Sequence, residues 1–481
     1  MRVSVLTHDG GSPDEESVRV FESADAPADS AGLSQLEDGV GDADLAAPPV
    51  VLPDFHHKSS MEMPSSIAVA TKDTIRPTLT SCSLNCGMAL IALDGERPQR
   101  TAIEDFYRQV RERFPYPPRY DTTLSADDVV QCAIEGGRFA VDRFGVDAGE
   151  LDRVEESGRL DLEAFGGAER VRRELPWMVV QLARMRFGTV GPSNHFIELQ
   201  EVEDIIDPTA ASVLGVHLGQ MTMQYHCGGG LLAGELGLLF GRRKRFSKPA
   251  RALMAVQKPL YHFGSSRSLD ELKLRRELYF SGGYPPVPRE GREGERLMLA
   301  NAAAMNYGFA YRIATYAGLR ALAHGSLGPS GSRLIVDSPH NSIYEEEVDG
   351  TSAVVHRHNA CRAYPAAKMA EHPVFGKVGQ ALLLPGTNRT SSYLCVAGDG
   401  ASSSLYSACH GAGSIIADFE RRGLSAADSQ ERTTLKFRYS DAAPAEVAQL
   451  DDRGVNEALG ILTRFDLVRP VARLRPFAVL N

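Results

Sequence analysis

The chain has 481 residues, 43% of them hydrophobic and 24% charged, enough to bury a large core in one big domain or two. No apolar run is long enough to cross a bilayer, and Met1-Arg2-Val3-Ser4 opens no signal core, which disfavours a membrane or secreted protein. Of the net charge of −10, residues 1–46 supply −9 through eleven acidic and two basic side chains, so charge neither demands nor forbids a nucleic-acid partner.

In chain order, residues 1–46 are rich in Asp, Ala, Gly and Ser and are expected to be a weakly ordered acidic extension, with one short helix near Leu33–Leu45. From Pro48 the texture changes: "PPVVLPDFHH" and "SSIAVAT" read as short strands. Residues 125–186 are mostly helical, with Ser125 as N-cap before "ADDVVQCAIEGGRFAVDRF" and a second helix through Ala168–Met185. Strands return with "NHFIELQEVEDII". A second helical block spans about 231–325. Its long pattern "ERLMLANAAAMNYGFAYRIATYAGLRALA" suits a helix buried on more than one face. The pieces "RLIVDS", "SAVVHRH", "QALLLPG" and "SYLCVAG" are strand-like. A helix over Asn456–Arg464 and a last strand, "VARLRPFAVLN", close the chain. Strands and helices are segregated rather than alternating, so the expected class is α+β: one domain, 47–481, with helical insertions at about 125–186 and 231–325.

Histidines make the useful pattern. Asn194-His195, His226-Cys227-Gly228, His340-Asn341 and Cys409-His410-Gly411 all look like strand ends, and Cys86 joins them in "SLNCGM". Each alone reads equally as an incidental turn residue. Together they suggest a shared site that only the fold could assemble. A thiolate with imidazoles by softness suggests zinc or iron. Seven cysteines, an odd number without framework spacing, point to a reducing cytoplasm with thiols free, buried or metal-bound. "PGTNRTSS" is a Gly/Ser/Thr turn between apolar strands, readable as a ligand loop or a hairpin. No P-loop and no GxGxxG after a strand is present, which disfavours standard nucleotide folds. A basic cluster, Arg242-Arg243-Lys244-Arg245 with Lys248 and Arg251, reads equally as a solvated helix end or a phosphate patch.

Taken in order, these pieces resemble the RtcB family of RNA ligases over about residues 50–481. "LPDFHH" is similar to that family's M-P-D-x-H entry, "GTVGPSNHFIELQ" to its G-x-x-G-x-G-N-H-F-x-E motif, and "HCGGG" falls where H-S-G-S-R is expected. "VDSPHNSIYEE", "VVHRHNACRAYP" and "LLLPGTNRTSSY" resemble later segments of the family. "ACHGAGS" matches C-H-G-A-G-R, and "VRPVARLRPFAVLN" matches the family's closing strand. The resemblance implies a single large domain with antiparallel sheets around a central metal and nucleotide cleft. It implies joining of RNA 3′-phosphate or 2′,3′-cyclic phosphate ends to 5′-hydroxyl ends, with GTP and one or two Mn²⁺ ions, in the cytoplasm. A protein activator is a candidate partner, and no membrane is involved. His410 would attack the α-phosphorus of GTP and hold GMP as a phosphoramidate. Cys86, His195, His226 and His340 fall on metal ligands. Asn194, Glu198, Asn341, Pro385, Gly386, Thr387, Ser392 and the Gly411-Ala412-Gly413 backbone fall on nucleotide contacts, with Asp54, Arg357 and Arg362 in support.

This sequence departs from the family at five site positions. Ser83 replaces the metal-binding Asp of D-x-x-C, and Gly230 and Ser414 replace arginines. His358 and Asn481 replace lysines. Two further readings therefore accompany the ligase: a paralogue that binds RNA ends without joining them, and a single-metal phosphohydrolase. Asp54, in the entry motif, is the candidate replacement for the missing carboxylate.

Overall fold

The computed structural model describes residues 2–5, 17–117, 124–184, 187–191, 194–242, 244–245, 248–282, 285–441 and 443–481. Residues 1 and 6–16 of the acidic extension, 185–186 of the first helical block, 192–193 of the glycine motif and Arg243 of the basic cluster lie outside this set.

Among the described residues two large sheets carry the fold, as expected for an α+β chain. The first runs in the order Arg2–Val5, Ser17–Val20, Val50–His56, Ser65–Thr71, Thr351–His358, Asn341–Val348. The second runs Gly331–Pro339, Gly87–Asp94, Met221–Cys227, Phe196–Ile205, Val468–Leu480, Ser392–Ala397, Ala381–Leu384, and that path is antiparallel throughout. Parallel pairs occur at the margins, as where Thr433–Phe437 joins Val468–Leu480. In Gly87–Asp94 successive side chains enter different cores: Ala89, Ile91 and Leu93 face the helices, while Met88, Leu90 and Ala92 face a smaller cluster behind. A strand apolar on both faces belongs in a sheet covered on both sides.

Helices cover that sheet. The 35-residue helix Arg292–Ser326 is buried almost continuously from Glu293 to Tyr316, matching its Ala-rich, aromatic pattern. In the first helical block the expected continuous helices are each broken. Ala126–Glu135 starts at the Ser125 cap, which forms a reciprocal box with Asp128, but it stops at Gly136 before Gly137–Phe144 resumes. Gly136 has φ +61°, and a Cβ there would meet the Gly158 carbonyl oxygen at 2.2 Å, so the chain turns where no other residue fits. The helix expected through Ala168–Met185 is Gly167–Glu174 and Trp177–Ala183, interrupted at Pro176, which cannot continue the ladder. A helix at Arg100–Arg113, absent from the sequence reading, packs Phe106, Tyr107 and Val110 into the same core.

Residues 17–46 pack closely, where the sequence reading expects weak order. Val18 and Val20 join the first sheet, and the helix Ser30–Val40, capped by Asp29, buries Leu36 and Val40 against Val51, Phe55 and Ile67. Few apolar residues are involved, but Val18, Val20, Leu36 and Val40 are buried, which a composition-based reading undervalues.

Candidate active site

Four neighbouring strands explain how distant residues meet. Gly331–Pro339, Gly87–Asp94, Met221–Cys227 and Phe196–Ile205 are adjacent and alternate in direction, so ends and beginnings share one edge. Gly87 lies opposite both Pro339 and Cys227, and His226 lies opposite Met88 and Phe196. His340, Cys86, His226 and His195 therefore come from four consecutive strand ends. His340 is also the single residue between Pro339 in the second sheet and Asn341 in the first. Its amide donates to the Cys86 carbonyl at 2.9 Å, and its own carbonyl accepts from Ala360 N at 3.0 Å.

The ligand atoms of Cys86, His226 and His340 all lie within 4.8 Å of one another. Cys86 Sγ is 3.3 Å from His226 Nε2 and 3.7 Å from His195 Nε2. Backbone carbonyls set the tautomers. His226 Nδ1 donates to the Asn194 carbonyl at 2.9 Å and His195 Nδ1 to the Val190 carbonyl at 3.0 Å, which leaves both Nε2 lone pairs directed at the thiol. His340 Nδ1 is buried without a hydrogen-bond partner. An orphaned imidazole nitrogen beside a thiol and further imidazoles fits a divalent transition cation. Burial, then neighbouring imidazoles, hold His226 and His340 well below the ordinary histidine range, in the neutral form that ligates. Burial pushes the Cys86 thiol up to about 12, with Arg312 partly opposing.

His410 follows the short strand Ser407–Cys409, paired with Ala360–Arg362, and its ring lies 4.5 Å from that of His340. Burial lowers its pKa to about 4, Asp54 pulling the other way, so the imidazole is neutral. Its Nδ1 is buried and unpartnered. The glycines beside it are not there for packing. A Cβ at Gly413 would meet nothing within 4 Å, and one at Gly411 would meet only Pro385, at 3.7 Å. Both line a cleft of about 510 Å³ together with His195, His226 and His410.

Of the other expected residues, Asp54, Asn194, Glu198, Pro385, Gly386, Thr387 and Ala412 line the same cleft. Glu198 is buried there, which raises its carboxyl to about 8, although Gln200 Nε2 donates to it at 2.7 Å. Cys86 and His340 do not line it, and neither do four further expected residues. Ser392 Oγ accepts from Gly386 N at 3.1 Å inside the turn. Asn341 braces the Ser83 carbonyl and Asn359 N. Arg357 is fully buried in a bidentate pair with Glu346 at 2.6 and 2.8 Å. Arg362 pairs with Glu155 and Glu156. Their roles are to hold loops, because their polar atoms already face protein partners. Lining residues that the sequence reading passed over are His56, Lys58 and Asn388. His56 stands inside the quoted entry motif and Lys58 just beyond it.

Asp54, the candidate replacement for the missing carboxylate, is not part of the Cys86, His226 and His340 group. Its Oδ1 accepts from Ser414 N at 2.6 Å and from the Ser414 hydroxyl, tying Val50–His56 to the first turn of the helix Gly413–Arg421. It does so from φ +66°, a conformation L-residues rarely adopt. Four of the five departures have structural counterparts. Gly230 has φ +80°, and a Cβ there would meet the Tyr307 and Tyr311 rings at 2.6 Å. His358 is buried near His410, its pKa lowered to about 3 by burial and then by Lys58. Ser414 and Asn481 line the cleft. None of the described members of the basic cluster does; Arg242 pairs with Glu62.

A family model described as tRNA-splicing ligase RtcB matches residues 43–481. Similar curated proteins include the tRNA-splicing ligase RtcB of Pyrococcus furiosus, 28% identical over 418 residues, covering 82% of this chain and 39% of that protein. The tRNA-splicing ligase RtcB of Thermococcus kodakarensis is 26% identical over 456 residues, covering 89% of this chain and 86% of that protein. The RNA-splicing ligase RtcB of Mycobacterium bovis is 26% identical over 424 residues, covering 85% and 90%. The matched stretch thus spans about two fifths of the Pyrococcus relatives and nearly all of the other two. Among the described residues no helix is long and apolar enough to cross a membrane.

Proposed function

Because the chain belongs to the RtcB family, whose model covers residues 43–481, we propose that it is an RNA ligase joining 3′-phosphate or 2′,3′-cyclic phosphate ends to 5′-hydroxyl ends at the expense of GTP. One observation carries the reading: a neutral His410 on the cleft, followed by Gly411, whose ring lies 4.5 Å from that of His340, itself grouped with Cys86 and the cleft-lining His226.

His410 is the proposed nucleophile. Its imidazole attacks the α-phosphorus of GTP, an N–P bond forms and pyrophosphate leaves. The 3′-phosphate oxygen of the RNA then takes the guanylate from His410, and the 5′-hydroxyl oxygen attacks that phosphate, releasing GMP. Gly411 and Gly413 leave backbone and open space for the phosphate and ribose, and the turn at Pro385–Thr387 with Asn194 and Glu198 borders the nucleotide. Cys86, His226 and His340, with His195 beside them, would hold a divalent cation, manganese by family resemblance, whose charge offsets that of the phosphate oxygens. We read one cation rather than two, since Ser83 brings no carboxylate and Asp54 is engaged by Ser414. We take residues 47–481 as the catalytic unit and the cytoplasm as its setting, where the Cys86 thiol stays reduced.

The test is incubation with α-labelled GTP and Mn²⁺, with Zn²⁺, Co²⁺ and Mg²⁺ in parallel, comparing wild type and His410→Ala on a denaturing gel. An acid-labile label lost in the variant is expected. No label with any cation would refute guanylylation. The closed space at Gly230, where the family carries Arg, favours as second reading an RNA-end binding protein that does not ligate. Multiple-turnover joining would eliminate that second reading.

A further inference from the structure

The helical insertions enclose a second cavity that the ligase reading does not use. It has a volume of about 560 Å³ and lies among the helices Gly167–Glu174, Trp177–Ala183, Lys248–Gly264 and Leu269–Phe280 and the start of Arg292–Ser326. That size suits a small-molecule site. Its lining is not that of a core. Arg170, Arg173, Arg267, Arg275, Arg292 and Arg296 all border it. The carboxylates paired with them are Glu174, Glu271, Glu293 and Glu295, which leaves positive charge in excess.

Two further side chains point to an occupant. Gln257 lines the cavity and is 3% exposed, yet among the described residues neither its amide nitrogen nor its amide oxygen has a hydrogen-bond partner. Native folds rarely leave a buried carboxamide wholly unpaired, because its lost hydration is not replaced. Trp177 borders the same cavity and is 72% exposed, unusual for so large an aromatic ring. The Arg296 guanidinium lies 4.1 Å over the Tyr261 ring, so Tyr261 already has a cation on one face, while Trp177 stands open.

We propose that this cavity binds one unpaired nucleotide. The Gln257 carboxamide, buried and unpaired at the cavity wall, carries a donor and an acceptor side by side, the complement of an adenine edge. Trp177 supplies the stacking face, and the arginine excess takes the phosphate. The inference is independent of chemistry at His410. A strand gripped here would be held by a nucleotide other than the one being joined.

The chain has one tryptophan, so its fluorescence reports this cavity alone. Full-length protein is titrated with hexaadenylate RNA and, separately, with AMP, for wild type and Gln257→Leu. Saturable quenching is expected, weakened about tenfold in Gln257→Leu. That variant should melt at or above the wild-type temperature, because it removes an unpaired amide without removing volume. Hexaadenylate binding well ahead of AMP assigns the site to a strand, and equal affinities assign it to the free nucleotide. No saturable quenching by either probe up to millimolar concentration, or equal affinity in Gln257→Leu, overturns the proposal. The labelled-GTP assay reads His410 separately, so either reading can fail without the other.

Discussion

Replacing Arg312 by Met tests how the cleft is held together. Arg312 is wholly buried, donates from Nε to both Asp337 oxygens at 2.9 Å, and reaches the Asn85 carbonyl and side chain with Nη1. It therefore anchors the turn that ends in Cys86. Met keeps the volume but leaves Asp337, itself fully buried, without its counter-charge. Breaking a buried pair in this way costs about 3–5 kcal/mol. Unfolding entropy near 2.1 cal/mol/K per residue gives about 1 kcal/mol/K for 481 residues, so the melting temperature should fall by about 3–5 °C. The double variant Arg312→Met/Asp337→Leu removes the orphan and should recover most of that loss. Both should bind Zn²⁺ or Mn²⁺ more weakly, since each frees the Asn85–Cys86 turn. Calorimetric scans of wild type, Arg312→Met, Asp337→Leu and the double variant, with metal titrations, form the cycle. A single variant within 1 °C of wild type, or a double variant no better than the single, would refute the anchoring argument.

Glu198→Gln should become progressively more stable than wild type as pH rises. The wild-type carboxyl titrates near 8 in the fold against 4.5 when free, so its stability is complete below 4.5 and is lost as pH climbs through 8. The ceiling is roughly 4–5 kcal/mol; a melting difference constant from pH 5 to 9 would contradict it. Gln35→Ala should cost about 1–3 kcal/mol and open residues 57–63 to proteolysis, because Gln35 Nε2 donates to the Lys58 and Met61 carbonyls and its Oε1 accepts from Lys58 N. An unchanged digestion pattern would count against that brace. Cys86→Ala should lower the metal content of purified protein by more than tenfold, measured by mass spectrometry. Ser83→Asp should shift preference from Zn²⁺ toward Mn²⁺ by adding a hard ligand; equal Mn²⁺ affinity in Ser83→Asp and wild type would rule out that position as a ligand.

Much of the architecture was readable locally. The Ser125 cap, the long buried helix and the apolar strands follow from periodicity and capping, which act over a few residues. The breaks at Gly136 and Pro176 were visible as residue types, but their consequence was not weighed. For Gly136 the deciding contact is the Gly158 carbonyl, 22 positions on. The packing of residues 17–46 was missed because it depends on Val51, Phe55 and Ile67 of the first sheet, which composition cannot register.

By itself the sequence determined which residues could do chemistry: His410 among small neighbours, a cysteine and three histidines beside glycine, asparagine or cysteine, and the turn at Pro385–Thr387. Residue type and backbone permissiveness are local properties. Only the tertiary structure decided which of them meet. Three strand ends had to fall on one edge before Cys86, His226 and His340 came within 4.8 Å. The same folding turned Arg357, Arg362 and Asn341 inward to protein partners and bound Asp54 to Ser414. A buried polar group goes to whichever partner satisfies it, and register and packing set that partner over hundreds of residues.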